Sequence, residues 1–142
     1  MAIARSRGVE LFWRWHPRIY RATGGRLLGR LAGLPVLLLE TVGRRTGARR
    51  ETALTYLPYG DDWVVVASVL GGPRHPAWYL NLRAEPRVSI TVGRERIAVT
   101  AREAEGDHRE AIWDALIARS PDYAQYRDWT ERRIPLVVLT RR

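Results

Sequence analysis

The segment VSITVGRERIAVTA, residues 88–101, decides the class of fold. Val88, Ile90 and Val92 alternate with Ser89 and Thr91, and Ile97, Val99 and Ala101 alternate on the way back. Successive side chains of a strand point to opposite faces, so each half predicts a strand with one apolar face. Between them Gly93-Arg94 predicts a two-residue hairpin turn, where glycine supplies the backbone twist that the flanking strands need. A lone hairpin is at best marginally stable in water, so further strands must cover it.

The flanking sequence supplies them. Val36 to Val42 predicts a strand, Gly43 to Ala48 a turn, and Thr52 to Tyr59 a second strand. The second strand lacks clean alternation, which predicts cover on both faces. Gly60-Asp61-Asp62 turns the chain into Trp63 to Ser68, a third strand, and Gly71-Gly72-Pro73 breaks it. His75 to Ala84 has a helical pattern, with Pro76 in its first turn and Pro86 beyond its end. After the hairpin, Asp107 and Glu110 resemble a capping box, and Ile112, Trp113, Leu116 and Ile117 form an apolar stripe. Ser120-Pro121 closes that helix and opens a short one carrying Tyr123, Tyr126 and Trp129, and Pro135 to Thr140 predicts the last strand.

Ahead of all this, residues 8 to 33 mix aromatic residues with arginine and predict short amphipathic helices, interrupted near Pro17 and resumed from Arg26 to Ala32. Six strands with helices between them predict a mainly β chain with some α: a small barrel with helices packed outside. One domain, 1–142, is expected, with 1–33 as its N-terminal amphipathic segment and 35–142 as the barrel.

Composition narrows the chemistry. Of 142 residues, 46% are apolar and 27% charged, an ordinary globular balance. There is no cysteine, which excludes a disulfide scaffold, a cysteine nucleophile and a thiolate metal site. No apolar run approaches the length of a bilayer span, and the N-terminus has no signal-peptide pattern, so a cytoplasmic address is expected. The net charge is +9, and its placement is uneven. Eleven arginines precede residue 51 against only Glu10 and Glu40, whereas the remainder is balanced. That points to an anionic partner for the first third of the chain.

Gly43-Arg44-Arg45-Thr46-Gly47-Ala48-Arg49-Arg50 is the strongest candidate site. Arg44, Arg45 and Arg50 offer charge-assisted hydrogen bonds, Thr46 adds a hydroxyl, and Gly47 permits a tight turn. The stretch from Gly71 to Leu82, with Trp78 and Tyr79, predicts a ledge for a flat ring, and Tyr123 with Tyr126 shares a helix face. His16, His75 and His108 lack metal-ligand spacing, so no metal site is expected. Ser68 lacks a nucleophile elbow.

Taken in order, Tyr20–Arg26, Gly43–Gly47, Pro76–Leu82 and Trp129–Pro135 resemble the deazaflavin (F420)-dependent nitroreductase and quinone reductase family. The resemblance implies a split β-barrel like that of FMN-binding oxidases, with bound coenzyme F420. It implies that Arg44, Arg45, Thr46 and Arg50 hold the phosphate and oligoglutamate tail. Thr52, Ala53, Leu54 and Thr55 with Val66, Ala67, Ser68 and Val69 would line the ring, and Ala77, Trp78, Tyr79, Leu80 and Asn81 would complete the site. Tyr123 and Tyr126 would sit beside the substrate, with Ser68 as a further hydroxyl for catalysis. The sequence departs from the family at Ser120, Val69 and Ala77, all on the ring or substrate side.

The reaction so implied is hydride transfer to a quinone, nitro-aromatic or activated enone. Residues 8–33 offer contact with a membrane surface at its inner face. An FMN enzyme of the same barrel is one alternative, and a basic nucleic-acid-binding barrel without catalysis is another. The hairpin strands carry Ser, Thr and Val where nucleic-acid stacking needs aromatics, so no nucleic-acid partner is expected. The sequence leaves monomer and homodimer both open.

Overall fold

The computed structural model describes residues 30–31, 34–67, 75–121, 123 and 134–142. Among them run β1 (Arg30–Leu31), β2 (Leu34–Val42), β3 (Arg49–Tyr59), β4 (Asp62–Val66), α1 (Ala77–Ala84), β5 (Arg87–Val92), β6 (Glu95–Glu103), α2 (Gly106–Arg119) and β7 (Leu136–Arg141). Every pairing is antiparallel. Six strands follow the order β2-β3-β4-β7-β6-β5, and β5 returns to β2 through Leu38↔Thr91, Leu39↔Ile90 and Glu40↔Ser89. The sheet is therefore closed, which removes the open edges that an antiparallel sheet otherwise presents. This is the split β-barrel with outer helices that the sequence predicts.

Alternation explains where the core sits. Leu37, Leu39, Val65, Ile90, Ile97, Val99, Val137 and Leu139 point into one cluster, and α1 buries Trp78, Tyr79 and Leu82 against it. The intervening residues Leu57, Val64, Val66, Leu136 and Val138 face the other way and pack under Ile112, Trp113 and Leu116 of α2. β4 and β7 are covered on both faces, which is why their sequences read as unbroken apolar runs. The hairpin turns at Gly93, whose φ is 62°, with Val92 opposite Glu95.

Four local expectations are corrected. Arg30 and Leu31, placed by sequence in a helical turn, pair with Pro35 and Leu34 as a short strand, because the end of β2 offers them backbone partners. β3 is covered unequally on its two faces: Ala53 and Leu57 are buried on one, while on the other Leu54 and Tyr56 pack only half-buried against the inner cluster and Thr52 lines the cleft described below. Asp107 is no cap. Gly106, with φ 57°, makes the turn into α2 one residue earlier, so Asp107 lies inside the first turn, where its charge still favours the helix dipole. Pro76 is the residue before α1 and not part of its first turn. The rest of residues 8–33, the glycine-rich break, and Tyr126 and Trp129 lie outside the described residues.

Leu37 is fully buried in the inner cluster. Leu37→Ala is expected to cost about 2–5 kcal/mol through lost burial and the cavity left behind. Urea denaturation monitored by circular dichroism should show the midpoint fall with little change in slope, whereas exposed Thr100→Ala should stay within about 0.5 kcal/mol.

Candidate functional site

The basic turn joins β2 to β3 and is tied to itself. The Gly43 N–H donates to the Ala48 carbonyl at 2.7 Å, and the Gly47 N–H donates to the Gly43 carbonyl at 2.8 Å. The Ala48 N–H donates to Thr46 Oγ1 at 3.2 Å. Gly47 sits at φ 72°, in the left-handed region that favours glycine. A Cβ on Gly43 would lie 2.9 Å from Thr46 Oγ1, so the turn also needs a glycine there for space.

A helix closes on this turn. The Asn81 carboxamide is buried, and its Oδ1 accepts hydrogen bonds from both the backbone N–H and Nη1 of Arg44, each at 3.2 Å. Asn81 Nδ2 donates to Thr41 Oγ1 at 3.4 Å. Turn and helix thus become two walls of one cleft of about 620 Å³. Thr41, Gly43, Arg44, Arg45, Thr46, Arg49, Arg50, Glu51 and Thr52 form one side, and Ala77, Trp78 and Asn81 form the other.

The electrostatics are one-sided. Four guanidinium groups line the cleft against one carboxylate, Glu51. Arg49 is engaged by Glu40 at 3.5 Å, and Glu40 also takes Arg96 at 3.0 Å. Arg44 is held by Asn81. Among the described residues neither Arg45 nor Arg50 is taken up by an acid, so the lip of the cleft presents uncompensated positive charge. Such a lip has the charge and donors to hold an anion through charge-assisted hydrogen bonds, and the adjacent Trp78 adds an apolar part to the wall.

The structure brings together Arg44, Arg45, Thr46, Arg50, Thr52, Ala77, Trp78 and Asn81 in this cleft. It places other sequence candidates elsewhere. Ala53 points to the opposite face of β3, against Val36 and Leu38. Leu54 and Leu80 pack partly on the inner cluster, Ala67 is buried within it, and Val66 is buried under α2. Thr55 and Tyr123 meet through their hydroxyls at 2.9 Å. Tyr79 points away from the cleft, its hydroxyl donating to Glu103 Oε1, its ring tilted against that of His75 and lying under the Arg83 guanidinium. Ser68, Val69 and Tyr126 lie outside the described residues. The sequence names Gly43 and Arg49 only as parts of the basic stretch, and it gives no site role to Thr41 or Glu51. The signal was the ladder itself: Thr41 opposes Arg50 and Val42 opposes Arg49, so the ends of both strands reach the site.

The family model described as F420H(2)-dependent quinone reductase matches residues 12–141. The F420H(2)-dependent quinone reductase Rv1261c of Mycobacterium tuberculosis (strain ATCC 25618 / H37Rv) is 43% identical over 144 residues, spanning 99% of this chain and 96% of its own. A solved structure described as an F420-H2 dependent reductase (FDR-A) superposes with a TM-score of 0.68 at 37% identity, covering 74% of this chain and 93% of its own. Another, described as a domain-swapped dimer, gives a TM-score of 0.71 at 34% identity, covering 89% and 94%.

Burial, followed by the bond to Glu103, raises the Tyr79 phenol above its ordinary value of 10.0. Its contribution to stability is therefore intact below pH 10 and falls as pH rises, because the unfolded chain ionises first. Denaturation midpoints followed from neutral to strongly alkaline pH should decline more steeply for the native chain than for Tyr79→Phe.

Proposed function

The chain belongs to the F420H(2)-dependent quinone reductase family, and from that membership we propose an oxidoreductase that seats reduced coenzyme F420 between the basic turn and α1 and reduces a quinone. Nitro-aromatics and activated enones, equally electron-poor, are proposed as further acceptors. The observation that supports this placement most is the pairing, in one cleft, of uncompensated Arg45 and Arg50 with the wall made by Ala77 and Trp78.

The residues present fit such a cofactor. Its phosphate and carboxylate tail is polyanionic and matches Arg44, Arg45, Thr46 and Arg50; its flat ring matches the wall of Ala77 and Trp78 with half-buried Thr52. When bound, the reduced deazaflavin supplies a hydride, since carbon in place of the flavin nitrogen favours two-electron transfer. The chain's own work is to fix the anionic end, hold the acceptor against the ring and keep water out. Proton supply is assigned to solvent or to the hydroxyls of Ser68, Tyr123 and Tyr126. Tyr123 is the one of these whose surroundings are described. It is nearly buried and bonded to Thr55, which suits a positioning role better than proton delivery.

Among the described residues no helix is long and apolar enough to cross a membrane. Contact of residues 8–33 with a membrane surface is part of the same proposal, because a lipid quinone is reached there. Co-sedimentation with anionic vesicles at low salt should carry the protein into the pellet, and a protein that stays in the supernatant removes this part.

Cofactor fluorescence on titration of the protein with F420 should show saturable binding, with FMN run alongside showing none. Arg45→Ala and Arg50→Ala should each weaken F420 by about ten- to a hundredfold, the equivalent of one hydrogen bond to a charged group. Tight FMN binding without F420 binding would assign the barrel to a flavin instead.

A further inference from the structure

We propose that Asn81 is a positioning residue for the anionic end of the cofactor, acting through Arg44; the proposal rests on the placement of F420 in this cleft. The resemblance counts Asn81 among the groups that touch the cofactor. The geometry points to a different task. A backbone N–H and a guanidinium can only donate, so the carboxamide oxygen must be the atom that faces Arg44. Both acceptor positions of Oδ1 are then filled by one residue. Nδ2 is turned to Thr41, which is itself buried at 1% exposure. With Asn81 at 5% exposure, its carboxamide oxygen is fully used within the protein and one of its two Nδ2 hydrogens is held by Thr41.

What it holds is informative. Arg44 stands 37 positions away in the chain, on the turn, whereas Asn81 is on α1. Asn81 therefore fixes the backbone of the turn and one of its guanidinium groups with a single carboxamide. Arg44 retains further N–H donors on that guanidinium, already oriented by the bond through Nη1. An arginine immobilised before a ligand arrives has less rotamer freedom left to lose on binding. The arginines thus divide the work. Arg44 is the preset contact, and Arg45 and Arg50, not held by an acid, close on the ligand afterwards. Ala77 and Trp78, one turn earlier on the same helix, register the ring wall against the same fixed point.

A double-mutant cycle on F420 affinity tests this. Asn81→Ala and Arg44→Ala should each weaken F420 binding about tenfold, and the double variant should be no weaker than Arg44→Ala alone. Multiplying effects, about a hundredfold in the double variant, would make Asn81 an independent ligand and overturn the proposal; so would an unchanged affinity for Asn81→Ala. A second measurement needs no variant. In the native chain without cofactor, the Arg44 amide should already be protected from hydrogen exchange, and F420 should add little. An amide that exchanges freely until F420 is added shows a turn that is not preset, which overturns the proposal. If the native chain binds no F420 at all, the cofactor placement itself fails, a result distinct from either of these.

Discussion

The pairing of β5 with β2 is the constraint on which the molecule depends. β2 bonds to β3 along one side and to β5 along the other, so it is the strand where the barrel closes. Without that closure β2 and β5 would become edges, and the inner cluster would open to water. The same strand runs on into the basic turn. Register therefore passes from the core to the site without a flexible link: Thr41 and Val42, opposite Arg50 and Arg49, are both the end of the ladder and the start of the cleft.

Closure also organises charge. The β2–β3 register sets Glu40 directly opposite Glu51, a like-charge pair that costs stability in an isolated ladder, and closure through β5 brings Arg96 of β6 within reach of it. Arg49 and Arg96 converge on Glu40, one from each side of β2, and relieve that repulsion. The arrangement sorts the arginines by role. Arg49 and Arg96 are used within the sheet, Arg44 is used by the helix, and the positive excess in the cleft is left at Arg45 and Arg50. Exposed ion pairs of this kind add little stability. Their effect here is to decide which charges remain for a ligand.

Much of this was legible in the sequence, and the reasons are local. The alternation around Gly93 and the apolar runs at Trp63–Val66 and Leu136–Leu139 each carry the signature of a strand with one or two covered faces. The basic turn was legible because glycine and arginine concentrate between two strands. Less legible was anything set by a partner distant in sequence. Arg30 and Leu31 are helical in pattern and extended in fact because of two backbone partners on β2. Tyr79 and Asn81 stand two apart on an eight-residue helix, and only the packing of that helix sends one to Glu103 and the other to Arg44. Ala53 and Thr52 are neighbours on opposite faces, so reading Thr52 to Thr55 as one continuous wall mixed two sides of the sheet.

The antiparallel register has a practical corollary at the other end of the barrel. β5 runs from Ser89, opposite Glu40, to Thr91, opposite Leu38, so the Gly93-Arg94 turn lies beyond the pole away from the basic turn. It is a short surface loop whose strands are held on both sides. Loop tips of this kind accept inserted sequence readily. A linker or dye attached there would tether the protein to a solid support with the cleft facing outward, giving immobilised molecules a common orientation.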